Sequence, residues 1–513
     1  MAKVLLREKV TKGRPNKVKI GKQLLDILTS GMYSDPLMVV REYVQNAADS
    51  IDEAVKRKIL RKEDGKIEVE IDGATRRLSV LDNGTGITNS HVEGLLCNIG
   101  HSIKDQKQSR GFRGIGRLGG LGYCETLKFS TRSSAREDVA IVTWDGLLMK
   151  RLLSKIHSKR TILEVIAKCV TVEYCKVGRD VPPRFFRVDM NGLNHFYSDD
   201  LASPKTLSSY LSCVAPVPYN NITFPFTNKI NEHLEGFDGF RSYFITLNNS
   251  PIYKPYNEAF HIRKGIQDTI SDIELLEFFD TGENCIARGW YANSNFLAAL
   301  PASEKMRGLT VHQGNIQIGN EIFLADMYSE RRFATWHIGE IHVSYAMRPN
   351  ARRDGFEQCT SYERFLENTS LLCRHLSKLC RTSSQERGSR VLNEGKLGKI
   401  EKMLKEPFFV TEDHFFYSIQ SARKCLAQVE DATEGDGYPN SFYSRLKRAK
   451  SRLLKAECQP LYLVDKLDGH RFGRTDRKKL IESLSLAILR EHDAACSAED
   501  LLKKVLQPYL RKK

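Results

Sequence analysis

The chain has 513 residues, of which 41% are hydrophobic and 28% charged, with a formal net charge of +16, the composition of a soluble globular protein with roughly two to four domains. No apolar run approaches the ~18 residues of a membrane span and the start lacks a signal-peptide core, so membrane insertion and secretion are not expected and a cytoplasmic location is. The cationic surplus admits an anionic partner, while twelve scattered cysteines without ligand-like spacing point to reduced thiols and away from a zinc site.

After a basic lead-in, IGKQLLDILTSGMYS predicts an amphipathic helix with Leu24, Leu25 and Leu28 inward. A second helix follows in SDPLMVVREYVQNAADSIDEA. Ser34 or Asp35 can cap it, and Pro36 suits its first position. Leu37, Val40, Val44, Ala47, Ala48 and Ile51 form an apolar stripe, and Glu42, Asn46 and Asp49 stack on the other face at i, i+4, i+7. Taken alone, that face is an ordinary solvated one. Two alternating runs, KIEVEID (66–72) and RRLSVLDN (76–83), predict paired strands with Asp72 and Gly73 in the turn. The second strand runs into Asp82-Asn83-Gly84-Thr85-Gly86. A carboxylate at a strand end can accept a hydrogen bond from an exocyclic amine, and two glycines let the backbone turn sharply beside a ligand.

Beyond a polar helix, residues 109–122 carry six glycines in twelve residues (Gly111, Gly114, Gly116, Gly119, Gly120 and Gly122), with Arg110, Arg113 and Arg117 among them. Backbone amides freed of Cβ, beside positive charge, suit a phosphate cradle or a mobile lid. The segment is not a Walker loop, since no Gly-Lys-Ser/Thr follows, and it lacks the preceding strand of a dinucleotide fingerprint. ETLKFSTRS, VAIVTWDG and RTILEVIA (160–167) predict further strands in a mixed or antiparallel sheet.

These three motifs, in this order and at this separation, resemble the GHKL ATPases and, among them, the heat-shock-protein-90 (HtpG-like) family. IGKQLLDILTSGMYSDPLMVVREYVQNAADSIDEA is similar to that family's opening helices. The resemblance implies an α/β sandwich of the Bergerat ATP-binding type over 1–175, with ATP and Mg²⁺ as ligands. It assigns Glu42 as the general base, Asn46 to Mg²⁺ and Asp49 as the acidic residue ending the helix motif. Asp82 would read the adenine amino group, with Gly84 and Gly86 under the base. Gly111, Arg113, Gly114 and Gly116 fall in the lid at the phosphates, Ser102 at a serine between the glycine motifs, and Thr161 at a threonine near adenine. Departures are His101 in place of a lysine, Gly94 in place of an asparagine, and a GFRG lid closer to the MutL branch.

Residues 176–240 read as a connecting segment, with a short helix in YSDDLASPKTLSSYLSCV. A middle, transducer-like α/β domain (ribosomal S5 domain 2-like) is expected over 241–360. Its predicted strands are SYFITLNN, CIARGWYA, LTVHQGNIQIG and WHIGEIHVSY, the last half-buried from its alternation. The loop Arg348–Glu357 resembles the one that brings a catalytic arginine to the γ-phosphate. Its Asn-x-x-Arg-acidic pattern singles out Arg353, with Arg352 as the fallback. Residues 361–513 read as basic and mainly helical, with 29 Lys and Arg against 19 Asp and Glu over 371–513. Arg445, Lys447, Arg448, Lys450, Arg452 and Lys455 form an acid-free run that a nucleic acid could use, and 471–479 is a second basic cluster.

The reading implied is a Mg-ATP-hydrolysing conformational switch, working as a homodimeric clamp on a protein client or partner. The alternative is a DNA-directed GHKL ATPase (MutL-, topoisomerase- or MORC-like) of a repair or defence system.

Overall fold

The computed structural model describes residues 35–97, 116–153, 162–176, 180–194, 199–350, 353–405, 408–409, 412–433 and 438–462. The helix expected before residue 34 and the cluster at 471–479 lie outside them. The chain divides into two compact units, 1–380 and 381–513.

The Glu42 helix runs Leu37–Lys56. Asp35 Oδ1 accepts from the Leu37 N–H at 2.9 Å, and Pro36 already has helical φ and ψ, so the chain enters the helix as its sequence directs. The whole expected stripe is buried, together with Val39 and Tyr43. It packs on a sheet of eight strands: β1 (Lys66–Asp72), β2 (Arg77–Asp82), β3 (Cys124–Arg132), β4 (Val139–Asp145), β5 (Val170–Cys175), β6 (Phe185–Leu193), β7 (Phe244–Leu247) and β8 (Ser250–Pro251). Their order is β5-β4-β3-β6-β2-β1-β7-β8. All neighbours are antiparallel except β1 and β7, which pair with Ile67 opposite Ile245. SYFITLNN thus forms a strand, but in this first sheet and not in the second.

RTILEVIA departs from expectation: Ile162–Cys169 is a helix. A short apolar run fits either period. Here the deeply buried pair is Val165 and Cys169, four residues apart, so the helical spacing prevails.

A small hairpin, β9 (Ala259–Arg263) with β10 (Ile266–Thr269), precedes a second sheet. That sheet comprises β11 (Asp272–Phe279), β12 (Cys285–Asn293), β13 (Gly308–Gln313), β14 (Ile316–Ile318) and β15 (Ile338–Val343), ordered β11-β12-β15-β13-β14. LTVHQGNIQIG, expected as one strand, is the β13–β14 hairpin. Gly314 and Asn315 form its two-residue turn at φ +56° and +63°, the primed geometry that suits strand twist. β15 is buried on both faces. Gly339, Ile341 and Val343 point one way; on the other face Glu340 and His342 enter a buried polar cluster.

That cluster explains the misread alternation. Lys254 Nζ donates to Glu340 Oε1 at 2.7 Å, the Tyr219 and Tyr256 hydroxyls donate to the same carboxylate at 2.6 and 3.0 Å, and His342 lies 3.0 Å from it. Burial alone would raise the Glu340 carboxyl, but Lys254, with His312 and His342, holds it well below the usual carboxylate range.

Helices Thr360–Lys405, Glu412–Asp431 and Asn440–Cys458 follow. In the second unit Leu397, Ile400, Leu426, Val429 and Phe442 share a core with Leu446, Ala449 and Leu453, an apolar stripe at helical spacing. The basic run beside that stripe is not uniformly open. Arg445 pairs with Glu394 and Glu401, each at 2.7 Å, and Lys450 with Glu430. Lys447, Arg448, Arg452 and Lys455 are exposed. A run without acids in sequence acquires them from neighbouring helices. Among the described residues the eleven cysteines are free thiols, and no helix is long and apolar enough to cross a membrane.

Candidate active site

The site grows from the outer face of the Glu42 helix, where Glu42, Asn46 and Asp49 are half-buried in line. Ser50, one position on, ties this helix to the turn after β2: its Oγ accepts from the Thr85 N–H at 3.1 Å. Asp82 closes β2 with 2% exposure, and its Oδ1 accepts from the Gly84 N–H at 2.9 Å. A buried carboxylate at a strand end, followed by a chain that turns at once, is a hydrogen-bond acceptor of the kind an exocyclic amine can use.

Both glycines of the turn are dictated by space. A Cβ at Gly84 would stand 2.3 Å from Ser50 Oγ, and one at Gly86, which has φ +61°, would stand 2.0 Å from the Arg132 carbonyl oxygen. The turn therefore runs pressed between the helix and β3. Thr131 holds its far end, accepting from Ile87 N–H at 2.9 Å and donating to Phe185 O at 3.0 Å. The strand beside Asp82 is β6, with Phe186 opposite it. The segment expected to supply a strand with Thr161 is the helix described above, and Thr161 itself lies outside the described residues, as do Ser102, Gly111, Arg113 and Gly114. Gly116 opens a short 3₁₀ stretch, Gly116–Gly122, at the close of the glycine segment.

Sequence reasoning missed how that stretch is anchored. The Tyr43 hydroxyl donates to the Arg117 carbonyl and accepts from the Gly120 N–H, both at 3.1 Å. A Cβ at Gly120 would come within 2.4 Å of the same hydroxyl. Tyr43 follows Glu42 directly, so Glu42 and the anchor of the glycine segment's end share one turn of helix. An aromatic in the apolar stripe with a hydroxyl to satisfy was the available signal. Burial draws the Arg117 guanidinium down to about 10.

Arg353, far along the chain, is placed at this helix. Its Nε lies 3.1 Å from Glu42 Oε1, with side-chain exposures of 10% and 12%. The loop that carries it explains the Asn-x-x-Arg-acidic pattern. Asn350 Nδ2 donates to Asp354 Oδ1 at 2.6 Å, and the Arg353 N–H donates to the Asn350 carbonyl at 3.2 Å. Arg353 stands at the apex with φ +56°, a conformation uncommon for a side chain with a Cβ and maintained by those bonds. Its carbonyl accepts from Gly319 N–H at 2.8 Å, which fixes the loop to the end of β14. Arg352 lies outside the described residues.

Residues 33–167 match the family described as histidine kinase-, DNA gyrase B- and HSP90-like ATPase. The chain is similar to the chaperone protein HtpG of Mycobacterium leprae (strain TN), 31% identical over 122 residues, 20% of this chain and 19% of that one. HtpG of Geobacter sulfurreducens is 27% identical over 143 residues, 24% of this chain and 22% of that protein. HtpG of Halorhodospira halophila is 37% identical over 86 residues, 16% and 14% respectively. The chain spans at most about a fifth of the length of these relatives.

Proposed function

We propose that the GHKL-type, HtpG-like ATPase domain at residues 33–167 makes this protein a Mg-ATP-hydrolysing conformational switch that acts as a dimer on a protein client or partner. The observation that carries the reading is the meeting of Glu42 and Arg353, 311 positions apart in sequence, at 3.1 Å on one helix face. A carboxylate that takes a proton from water and a cation that offsets phosphoryl charge must reach the same few ångströms, and these two do.

Asp82 and the turn Gly84–Gly86 would receive adenine, and Gly116 with the segment before it the phosphates. Asn46 has the neutral oxygen that a hard, strongly hydrated cation accepts, and Asp49 is on the same face. Mg²⁺, when bound, supplies charge neutralisation at the phosphates. Glu42 accepts the proton of the attacking water, and Arg353 gives up its bond to Glu42 for phosphate oxygens. Such an arginine is worth on the order of 10³–10⁵ in rate in other phosphoryl-transfer enzymes. The domain assignments 1–175, 176–240, 241–360 and 361–513 go with this reading, with β6, β7 and β8 joining the first domain's sheet from beyond residue 175.

The test is steady-state Mg-ATP turnover of the full chain with Glu42→Ala as the blank, with and without duplex DNA at low salt. We expect turnover in the parent, none in the variant, ATP binding in both, and indifference to DNA. Equal turnover in Glu42→Ala would refute the role of the base. Stimulation by DNA that fades with salt would favour the DNA-directed alternative through Lys447, Arg448, Arg452 and Lys455.

A further inference from the structure

The Glu42 helix is held by later parts of the chain at two separate points. Glu42 meets Arg353. Ten residues on, about 15 Å along the axis, Asp52 Oδ1 accepts from Arg241 Nη1 at 2.9 Å and from the Tyr243 hydroxyl at 2.5 Å. Tyr243 is 6% exposed and leads directly into β7, so this anchor is tied into the first sheet.

The same anchor reaches the arginine loop. The Arg241 carbonyl accepts from Asn315 Nδ2 at 3.0 Å, and Ser242 Oγ lies 3.3 Å from the same atom. Asn315 is the fully buried second residue of the β13–β14 turn. From there β14 runs three residues to Gly319, whose N–H holds the Arg353 carbonyl. The path Asp52, Arg241 and Tyr243, Asn315, β14, Gly319, Arg353, Glu42 starts and ends on one helix.

We propose that Asp52 is a positioning residue for ATP hydrolysis, fixing through this path the place of Arg353 against Glu42; the proposal rests on the role given to Arg353 above. A carboxylate receiving a guanidinium and a phenol makes charge-assisted bonds that resist sliding of segment 241–243, and of the β13–β14 turn bonded to it, along the helix. Placement matters because a reacting group displaced by about 1 Å can lose on the order of 10² in rate.

The experiment is a double-mutant cycle in the full chain, reading kcat, KM and the calorimetric affinity for Mg-ATP, with amide exchange in peptides covering 314–320. Asp52→Ala should lower kcat about tenfold while KM and affinity stay within about twofold, and should speed exchange at Gly319. Asp52→Asn, which keeps an acceptor for Tyr243, should recover part of the rate. In an Arg353→Ala background Asp52→Ala should cost nothing more. A loss of equal size in both backgrounds, or no loss in the parent, would overturn the proposal. Turnover unchanged by Arg353→Ala would refute the role of Arg353 itself, a separate failure. If Asp52→Ala does not fold, Tyr243→Phe removes one donor only and must show the same dependence on Arg353.

Discussion

At the scale of single residues, Asp82 and Gly86 make opposite demands. Asp82 is an acceptor by chemistry: replacing it with Asn presents a donor in place of an acceptor while keeping the shape. Asp82→Asn should weaken ATP binding by at least about 10²-fold, since buried polar groups left unmatched are costly; calorimetry giving unchanged affinity would remove Asp82 from the adenine site. Gly86 is required by geometry. Alanine there would adopt an unfavourable φ and place its Cβ against the Arg132 carbonyl. Gly86→Ala should cost about 2–4 kcal/mol, read as a lower urea midpoint, and an unshifted midpoint would mean the turn moves freely. Glu42, Asp82 and Arg353 could be singled out in the sequence because each stands in a short motif with fixed spacing. Tyr43, Ser50 and Asp52 stood in the same helix unremarked. Their contacts are with residues 117, 85, 241 and 243, and no local pattern encodes such a pairing.

At the scale of elements, the second sheet teaches how alternation can deceive. Polar residues at every second position of β15 predict a face toward water, yet Glu340 is 1% exposed and His342 likewise. The face is covered by Lys254, Tyr219 and Tyr256, which satisfy it, and nothing in GEIHVSY announces their arrival. The β13–β14 turn was missed as well: LTVHQGNIQIG was read as one strand, although Gly-Asn between apolar runs is a hairpin signal. The side chains of Lys254 and Glu340 are 0% and 2% exposed, so deleting one partner strands the other. Lys254→Met should destabilise by about 3–5 kcal/mol. Adding Glu340→Gln should restore part of it, because the amide oxygen still receives a tyrosine hydroxyl without a charge. Chemical denaturation of the two variants measures this, and a double variant weaker than the single would contradict it.

At the scale of the whole molecule, buried imidazoles set the acid limit. Burial holds His312 well below the usual histidine range, keeps His342 lowered despite Glu340, and brings His337 to about 3. The unfolded chain protonates each below about pH 6.5, while the folded chain does not. Stability is therefore complete above that value and falls as pH drops, by up to about 1.4 kcal/mol per unit for each histidine. Glu340, held below its ordinary range, adds to the loss once pH passes under the unfolded carboxylate value. Thermal midpoints should hold between pH 7.5 and about 6.5 and decline from there to pH 5, and a profile flat throughout would mean the imidazoles protonate in the fold as they do in the unfolded chain. The mixed α/β architecture with a helical end was legible because the longest elements carry strong periods. The path of the chain between the sheets was not: β7 reads as a strand, but its parallel partner β1 lies some 180 residues earlier in the sequence.

The strand order has a consequence for dissection of the chain. β6 lies in the middle of the first sheet, between β3 and β2, although it follows both in sequence. A fragment cut after residue 175 would hold Glu42, Asp82 and the glycine segment, would lose Arg353, and would lack the strand that joins the two halves of its sheet, leaving open edges of the kind that invite aggregation. Extending the fragment past β6 heals the centre, and extending it past residue 251 also covers β1. The family-matched segment, residues 33–167, ends before β6, and the later chain supplies the central strand of its sheet.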